Sequence, residues 1–119
     1  MKILVVEDDP AFGQLLVNQL KRGRQEEIRL HTRGGEVVEV LAREAFQCVL
    51  VDLNLPDMDG LELLERIRQG HPRLPVLLMS GYSTEELRQK AGERGAAAFL
   101  TKPFSLKELL AALEEALSH

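Results

Sequence analysis

The architecture of this chain is indicated by one stretch, VLVDLNLPDMDG, which runs from Val49 to Gly60. Its first residues are apolar and mostly β-branched, which is typical of a strand buried on both faces of a sheet. The strand ends on a carboxylate, Asp52, and the chain then enters a turn rich in Pro, Asp and Gly. An acid at this position lies where open α/β sheets bind their ligands, although a single such acid more often only begins a turn.

The composition predicts one ordinary folded domain. The chain has 119 residues, of which 45% are hydrophobic and 29% are charged, and its net charge is −4. This length supports one hydrophobic core, so we expect residues 1–119 to form a single domain. Both signs of charge are scattered, which argues against direct binding of nucleic acid. No apolar run is long enough for a signal peptide or a membrane span, and we therefore expect a cytoplasmic protein without membrane attachment.

The rest of the chain alternates buried strands with amphipathic helices. Strand patterns occupy residues 2–6, 28–32, 48–51, 76–79 and 97–101. Each is followed by apolar residues at helical spacing, and the first helix is predicted from Pro10 to Lys21 with Asp9 as its N-cap. Residues 22–27 form a polar break before the second strand. Such an alternation predicts a parallel, doubly wound α/β sheet that binds ligands beyond the carboxyl ends of its strands.

The helices carry capping signals and apolar stripes. Pairs in capping-box spacing predict where the third, fourth and fifth helices begin, and they are Asp59 with Glu62, Ser83 with Glu86, and Ser105 with Glu108. The residues expected to face inward are Phe12, Leu15, Leu16 and Leu20; Val37, Val38, Leu41 and Ala45; Leu61, Leu64 and Ile67; Leu87 and Ala91; and Leu106, Leu109, Leu110, Leu113 and Leu117. Because the fourth helix, predicted to end near Arg94, has only two such residues, we expect it to be loosely held.

Informative polar residues follow four of the predicted strands. Glu7 and Asp8 follow the first strand, Asp52 the third, Ser80 the fourth and Lys102 the fifth. Parallel strands end at the same edge of a sheet, so these side chains are expected to converge. Three gathered carboxylates favour a cation, and oxygen ligands suit Mg²⁺, while a lysine and a hydroxyl suit a phosphate. The set predicts phosphoryl transfer to Asp52.

Each of these residues also has a purely structural interpretation. Lys102 with Pro103 is typical of a turn before a helix, and Ser80 of an ordinary strand end. Glu7-Asp8-Asp9 could serve only to cap the first helix. Asp57 and Asp59 are assigned to the turn and to a helix cap. The convergence of the whole set is what favours the functional interpretation.

Four motifs, in order and correctly spaced, resemble the receiver domain of two-component response regulators. They are VVEDD at residues 5–9, DLNLPDMDG at residues 52–60, MSG at residues 79–81 and TKPF at residues 101–104. The resemblance covers the whole chain. It implies a flavodoxin-like, doubly wound, five-stranded parallel sheet in the order 2-1-3-4-5 with five helices.

The resemblance also implies a phosphorylation site. Asp52 would accept phosphate from a phosphohistidine on a sensor histidine kinase or a phosphotransfer protein. Asp8 and Asp52 would ligate Mg²⁺, Glu7 would hold a metal-bound water, and the main-chain carbonyl of Asn54 would add a ligand. The acidic pair is Glu-Asp here rather than the frequent Asp-Asp, a variant that should spare metal binding.

An output mechanism is implied by the same family. Ser80, where Thr is frequent, and Lys102 would contact the phosphoryl oxygens. Phe99, where Tyr is frequent, matches an aromatic residue that changes rotamer on activation. The surface expected to change is formed by the fourth helix, fifth strand and fifth helix, and it would bind an effector or a second copy of the chain. Asn54 and Tyr82 are expected to overhang the phosphoryl group and set its lifetime.

Two other classes of function stay open on the sequence alone. A Mg²⁺-dependent phosphatase with an aspartyl nucleophile would carry Asp-x-Asp after its first strand, where this chain has Glu7-Asp8-Asp9. A docking scaffold that is not phosphorylated is disfavoured by the intact site residues. The motifs SGY at residues 80–82 and TKPFSL at residues 101–106 resemble receivers attached to hybrid histidine kinases. A stand-alone regulator and a domain of a longer protein nevertheless fit the sequence equally well.

Overall fold

The computed structural model describes residues 1–22 and 27–118, and it contains the five strands and five helices that the sequence predicts. In chain order the elements are β1 (Lys2–Val6), α1 (Pro10–Lys21), β2 (Glu27–His31), a 3₁₀ turn (Gly34–Glu36), α2 (Val37–Arg43), β3 (Cys48–Asp52), α3 (Gly60–Gly70), β4 (Val76–Ser80), α4 (Glu85–Glu93), β5 (Ala98–Thr101) and α5 (Leu106–Leu117). Residues 23–26 of the predicted polar break lie outside the described residues. Within the described ranges, no helix has the length and apolarity needed to cross a membrane.

The five strands form one parallel sheet in the order β2-β1-β3-β4-β5, which confirms the predicted topology. The direction of winding reverses between β1 and β3, and α/β sheets of this kind bind ligands in the crevice at that point. The register pairs Val6 with Val51 and Ser80 with Thr101. The residues that follow these strands therefore fall at the same edge of the sheet as Asp52.

Each face of the sheet packs against its own hydrophobic layer. Alternate strand residues point to opposite faces, so Leu4 and Val49 belong to the layer under α2 and α3, whereas Val5 and Leu50 belong to the layer under α1 and α5. Every residue of β3 and β4 is buried. Burying one such aliphatic side chain contributes about 1.5–3 kcal/mol. These strands therefore form a rigid support for the polar side chains at their carboxyl ends.

Three of the residues predicted to face inward are exposed. Leu15 is 49% exposed, Val38 is 44% exposed, and Ala45 lies beyond the end of α2. Val17 and Val40 are buried instead. The buried positions of α1 and α2 follow the spacing i, i+3, i+4, and the sequence allows more than one such stripe on a helix rich in apolar residues. The packing of each helix on the sheet selects the stripe.

The helix starts confirm part of the predicted capping. Ser105 forms the full capping box with Glu108 at the start of α5. Asp59 caps α3 by accepting from a main-chain N–H, although no reciprocal bond completes that box in the described structure. At the start of α4 the prediction is wrong by one residue, because Thr84 rather than Ser83 is the N-cap. Two neighbouring hydroxyl residues can each cap a helix, so the sequence does not distinguish them.

We expect Gly60→Ala to destabilise the domain by about 1–3 kcal/mol, as overpacking does. A Cβ at residue 60 would lie 2.6 Å from Leu53 Cα and 2.9 Å from the carbonyl oxygen of Asp52, and the backbone has no room to yield. Gly92→Ala is the matched control, since a Cβ in α4 meets nothing within 4 Å and should stabilise by up to about 1 kcal/mol. Urea unfolding measures the change in the free energy of unfolding for each variant. Equal changes in the two variants would contradict the role assigned to close packing at Gly60.

Candidate functional site

Three carboxylates meet at the carboxyl ends of β1 and β3. Glu7 and Asp8 follow β1, and Asp52 is the last residue of β3. One oxygen from each of them lies within 4.8 Å of the other two. Glu7 is 0% exposed and Asp52 is 4% exposed, whereas Asp8 is exposed to solvent. Two of the three acidic groups are therefore in the interior, where repulsion and loss of hydration both act against their charges.

Main-chain groups hold the buried acids in place. The N–H of Glu7 donates to the carbonyl oxygen of His31 at 2.9 Å, which extends the pairing of β1 with β2. The N–H of Asp9 donates to Glu7 Oε2 at 3.2 Å. The N–H of Asn54 donates to Asp52 Oδ1 at 3.2 Å. These bonds orient both carboxylates toward the same edge of the sheet.

Lys102 brings a positive charge to the two buried acids. Its main-chain N–H donates to the carbonyl oxygen of Ser80 at 2.7 Å, so the residue continues the pairing of β4 with β5. Its ammonium nitrogen Nζ lies 2.5 Å from Glu7 Oε1 and 3.4 Å from Asp52 Oδ2. The peptide bond between Lys102 and Pro103 is cis. One lysine thus contacts both carboxylates that the fold has removed from water.

The electrostatic effect of this environment is largest at Glu7. The pKa of Glu7 is raised to about 7, mainly by burial; the hydrogen bond from Lys102 opposes this rise, and the neighbouring Asp52 contributes to it. Glu7 therefore retains a proton over a pH range in which an exposed glutamic acid is ionised. A cation bound between these carboxylates would favour their ionised forms.

The donor set fits Mg²⁺. All three side chains offer carboxylate oxygens, which are the hard ligands that this ion prefers, and the exposure of Asp8 leaves room for the waters that it retains. Across residues 1–22 and 27–118, no other cluster of three or more acidic, histidine or cysteine residues brings its ligand atoms together in this way. Asn54, expected to contribute its main-chain carbonyl, lies exposed on the loop directly after β3.

Of the residues predicted to relay a signal, Ser80 is the last residue of β4 and Phe99 is the second residue of β5. Ser80 is 1% exposed, and its hydroxyl oxygen accepts a hydrogen bond from the N–H of Tyr82 at 3.0 Å. Phe99 is partly buried in β5 and pairs with Leu78 of β4. Tyr82 is 72% exposed. The structure therefore places Ser80 at the same edge as the acids and leaves the ring of Tyr82 in solvent.

Arg88, which the sequence analysis did not assign, covers Phe99 from α4. Its guanidinium carbon lies 5.1 Å from the centre of the Phe99 ring, within the range of a cation–π contact. Its Nε donates to Ser83 Oγ at 2.6 Å, and its Nη2 donates to Thr101 Oγ1 at 3.0 Å. Ala91 is the one fully buried side chain of α4 and Leu87 is partly buried against the same hydrophobic layer, so Arg88 adds polar contacts with β5 to a small apolar attachment.

Asp57 anchors the loop that follows the central strand. Its two carboxylate oxygens accept hydrogen bonds from the N–H groups of Gly34 at 2.9 Å and Gly35 at 2.8 Å. These bonds lower the pKa of Asp57. The sequence analysis assigned this residue only to a turn, because nothing in the pattern indicates contact with a glycine pair more than twenty residues away. The loop that carries Asn54 is thereby tied to the 3₁₀ turn before α2.

The family model described as the response regulator receiver domain matches residues 3–114. The chain belongs to this family. Receiver domains are signalling modules of two-component systems, and the sheet order and the acidic edge of this one agree with that assignment.

Individual relatives of this receiver domain are regulators with additional length. Response regulator protein FleR of Pseudomonas aeruginosa is 43% identical over 109 residues, which are 92% of this chain and 23% of FleR. The DNA-binding transcriptional regulator NtrC of Escherichia coli is 38% identical over 117 residues, which are 98% of this chain and 25% of NtrC. The chain therefore spans about a quarter of these relatives. The non-phosphorylated HemR receiver domain from Leptospira biflexa superposes with a TM-score of 0.89 at 35% identity, covering 99% of this chain and 94% of that one.

We expect the metal-free receiver domain to lose stability as the pH rises from about 4.5 to about 7. Over this range the folded state keeps the proton on Glu7 that the unfolded chain has released, so the free energy of unfolding falls as pH rises. Glu7→Gln should flatten this dependence. Urea unfolding in the presence of EDTA, at several pH values, measures it.

Glu44→Gln is the control for that measurement, because it removes the same charge from a partly exposed carboxyl group paired with Lys2. The pKa of Glu44 is lowered, mainly by its hydrogen bond with Lys2, so its contribution to stability is lost below the window tested. In this variant the free energy of unfolding should fall with pH as steeply as in the wild-type chain. If Glu7→Gln and Glu44→Gln gave the same slope, the raised pKa of Glu7 would not explain the dependence.

Proposed function

We propose that residues 1–119 act as one phosphoacceptor domain, in which Asp52 receives a phosphoryl group in a Mg²⁺-dependent reaction. The donor is a phosphohistidine on a sensor histidine kinase or a phosphotransfer protein. The observation that carries this proposal is the placement of Lys102 Nζ at 3.4 Å from a carboxylate oxygen of Asp52, beside two further acids. The side chains proposed as nucleophile, metal ligands and phosphate-binding cation lie at one edge of the sheet.

The chemistry assigned to Asp52 is nucleophilic. A carboxylate oxygen of Asp52 attacks phosphorus, the bond between phosphorus and the donor imidazole nitrogen breaks, and an acyl phosphate forms on the protein. The imidazole leaves with the electron pair of the broken bond and takes a proton from solvent. Because the transferred group carries its charge on its outer oxygens, catalysis depends on positioning and on charge stabilisation.

The neighbouring residues supply that positioning. Asp8 and Asp52 would ligate Mg²⁺, Glu7 would hold a metal-bound water, and the main-chain carbonyl of Asn54 would add a ligand. When bound, Mg²⁺ neutralises charge on the phosphoryl oxygens and orients the group for in-line attack. Lys102 would pair with one phosphoryl oxygen as a point charge.

The proposed output begins at Ser80. A phosphoryl group on Asp52 offers strong acceptors to the Ser80 hydroxyl, which would move toward it and open space at the end of β4. Phe99 would turn into that space. Because Arg88 lies over the Phe99 ring, a turn of the ring alters the contact that attaches α4 to β5. The surface of α4, β5 and α5 would then bind an effector or a second copy of the chain.

The lifetime of the acyl phosphate is assigned to the two residues that flank the site. Asn54 and Tyr82 lie two positions beyond Asp52 and Ser80, and both are exposed. Tyr82 is bulky and carries no carboxylate, so it would shield phosphorus from water without orienting an attacking molecule.

Incubation with Mg²⁺ and acetyl phosphate is expected to add one phosphoryl group to the wild-type chain and none to Asp52→Asn, because the amide is a poor nucleophile. Asp8→Ala should lose most of the modification, since it removes a metal ligand and keeps the nucleophile. Asp9→Asn is the control and should remain modified, because Asn caps a helix as well as Asp does. Intact-mass spectrometry measures all four proteins.

A full mass gain in Asp52→Asn would show that the phosphoacceptor is another residue. The absence of any gain in the wild-type chain would instead favour the docking scaffold. Both results are read from the same spectra.

Phosphorylation is expected to change amide hydrogen exchange mainly in residues 80–110, and Ser80→Ala should suppress that change while Asp52 still accepts phosphate. The reason is that the hydroxyl is the proposed link between the phosphoryl group and Phe99. Ser80→Thr keeps a hydroxyl and should preserve the change. Exchange measured by mass spectrometry with and without acetyl phosphate tests this, and a wild-type pattern in phosphorylated Ser80→Ala would rule out the relay.

A further inference from the structure

We infer that Phe12 is a positioning residue for Lys102, because the face of its ring keeps the lysine ammonium over the site when a metal ion and a phosphoryl group engage the carboxylates. This inference rests on the proposed function. It assigns to a partly buried side chain of α1 a part in phosphoryl transfer.

The aromatic ring lies directly beside the ammonium group. Lys102 Nζ is 4.4 Å from the centre of the Phe12 ring, well within the distance of a cation–π contact. Behind it, the rings of Phe12 and Phe104 meet edge to face, with centres 5.7 Å apart and planes at 85°. The chain segment that carries Lys102 therefore also carries the ring that supports Phe12.

The N-cap of α1 fixes Phe12 from the other side. Asp9 Oδ1 accepts a hydrogen bond from the N–H of Phe12 at 3.3 Å and from the N–H of Ala11 at 3.0 Å. The position of the residue is thus set by the first turn of the helix, which begins directly after the acidic pair. The ring is held between this turn and Phe104, with Lys102 against its face.

Competition for the carboxylates gives the ring its importance. In the described part of the chain, Lys102 Nζ contacts Glu7, Asp52 and the ring of Phe12. Both acids belong to the proposed metal site, so a bound cation would share their charge and weaken their hold on the ammonium. The ring has no role in metal binding and keeps its attraction for the lysine. The Lys102 side chain is already 21% exposed, so without the ring it could turn toward solvent.

A packing role alone is the competing explanation, because Phe12 also packs against the hydrophobic layer beneath α1 and α5. Phe12→Leu keeps an apolar side chain and removes the aromatic face, whereas Phe12→Tyr keeps the face. Leu15→Ala changes an exposed residue of the same helix and serves as the control. Together, the three variants separate the effect of the aromatic face of Phe12 from the effect of its side-chain volume.

The first test measures geometry without phosphorylation. A ring at this distance shifts the proton resonances of the Lys102 ε-methylene group, which are assigned with Lys102→Arg. We expect the shift in wild type and Phe12→Tyr, with and without Mg²⁺, and its loss in Phe12→Leu. Equal resonances in wild type and Phe12→Leu, or loss of the shift from wild type when Mg²⁺ is added, would overturn the inference.

The second test measures transfer from acetyl phosphate. A cation–π contact at a partly exposed site corresponds to a change of about two- to fivefold, so we expect Phe12→Leu to slow phosphorylation by about that factor. Phe12→Tyr should retain most of the rate, and Leu15→Ala should match wild type.

A double variant decides whether the ring acts through the lysine. In the Lys102→Met background, Phe12→Leu should cause no further loss of rate. The same factor in both backgrounds would mean that the ring supports the fold and would overturn the inference. Failure of the proposed function looks different, since the wild-type chain would then take no phosphate while the resonance of Lys102 would still report on the ring.

Discussion

The balance of charge at the carboxyl edge of the sheet is the constraint on which this domain depends. Glu7 and Asp52 are almost completely withdrawn from water, and an unpaired buried charge costs several kcal/mol. Their partner, Lys102, directly follows β5, whereas Glu7 directly follows β1 and Asp52 ends β3, and β4 lies between β3 and β5 in the sheet. The charges of the acids and the lysine are therefore balanced only when β1, β3, β4 and β5 have assembled. The fold and the site are thus formed together.

Much of this arrangement can be predicted from the sequence, because it requires only the positions at which strands end. Glu7, Asp52 and Lys102 each stand at or directly after the end of an apolar run, and parallel strands bring such ends to one edge. The caps Asp9 and Ser105 are equally local, since a cap depends on residues two or three positions apart. The family resemblance added the strand order and the roles of individual residues.

Other features depend on how the elements pack, and no local pattern contains them. The ring of Phe12 meets Lys102 from the opposite end of the chain, and Arg88 reaches Phe99 from a separate helix. The exposure of Leu15 follows from the rotation of α1 about its own axis, which the apolar pattern leaves ambiguous. Each of these features is a contact between side chains whose distance is set only in the assembled fold.

The weak apolar attachment of α4 has a thermodynamic consequence. Ala91 is its one fully buried side chain, Leu87 is only partly buried, and the guanidinium group of Arg88 adds polar contacts with β5. A helix that hides little apolar surface exposes little when it shifts, and exposed apolar area is the main source of heat-capacity change in proteins. Water can also replace the hydrogen bonds of Arg88 at small net cost. The balance between positions of α4 should therefore vary little with temperature, even where the stability of the whole domain varies strongly.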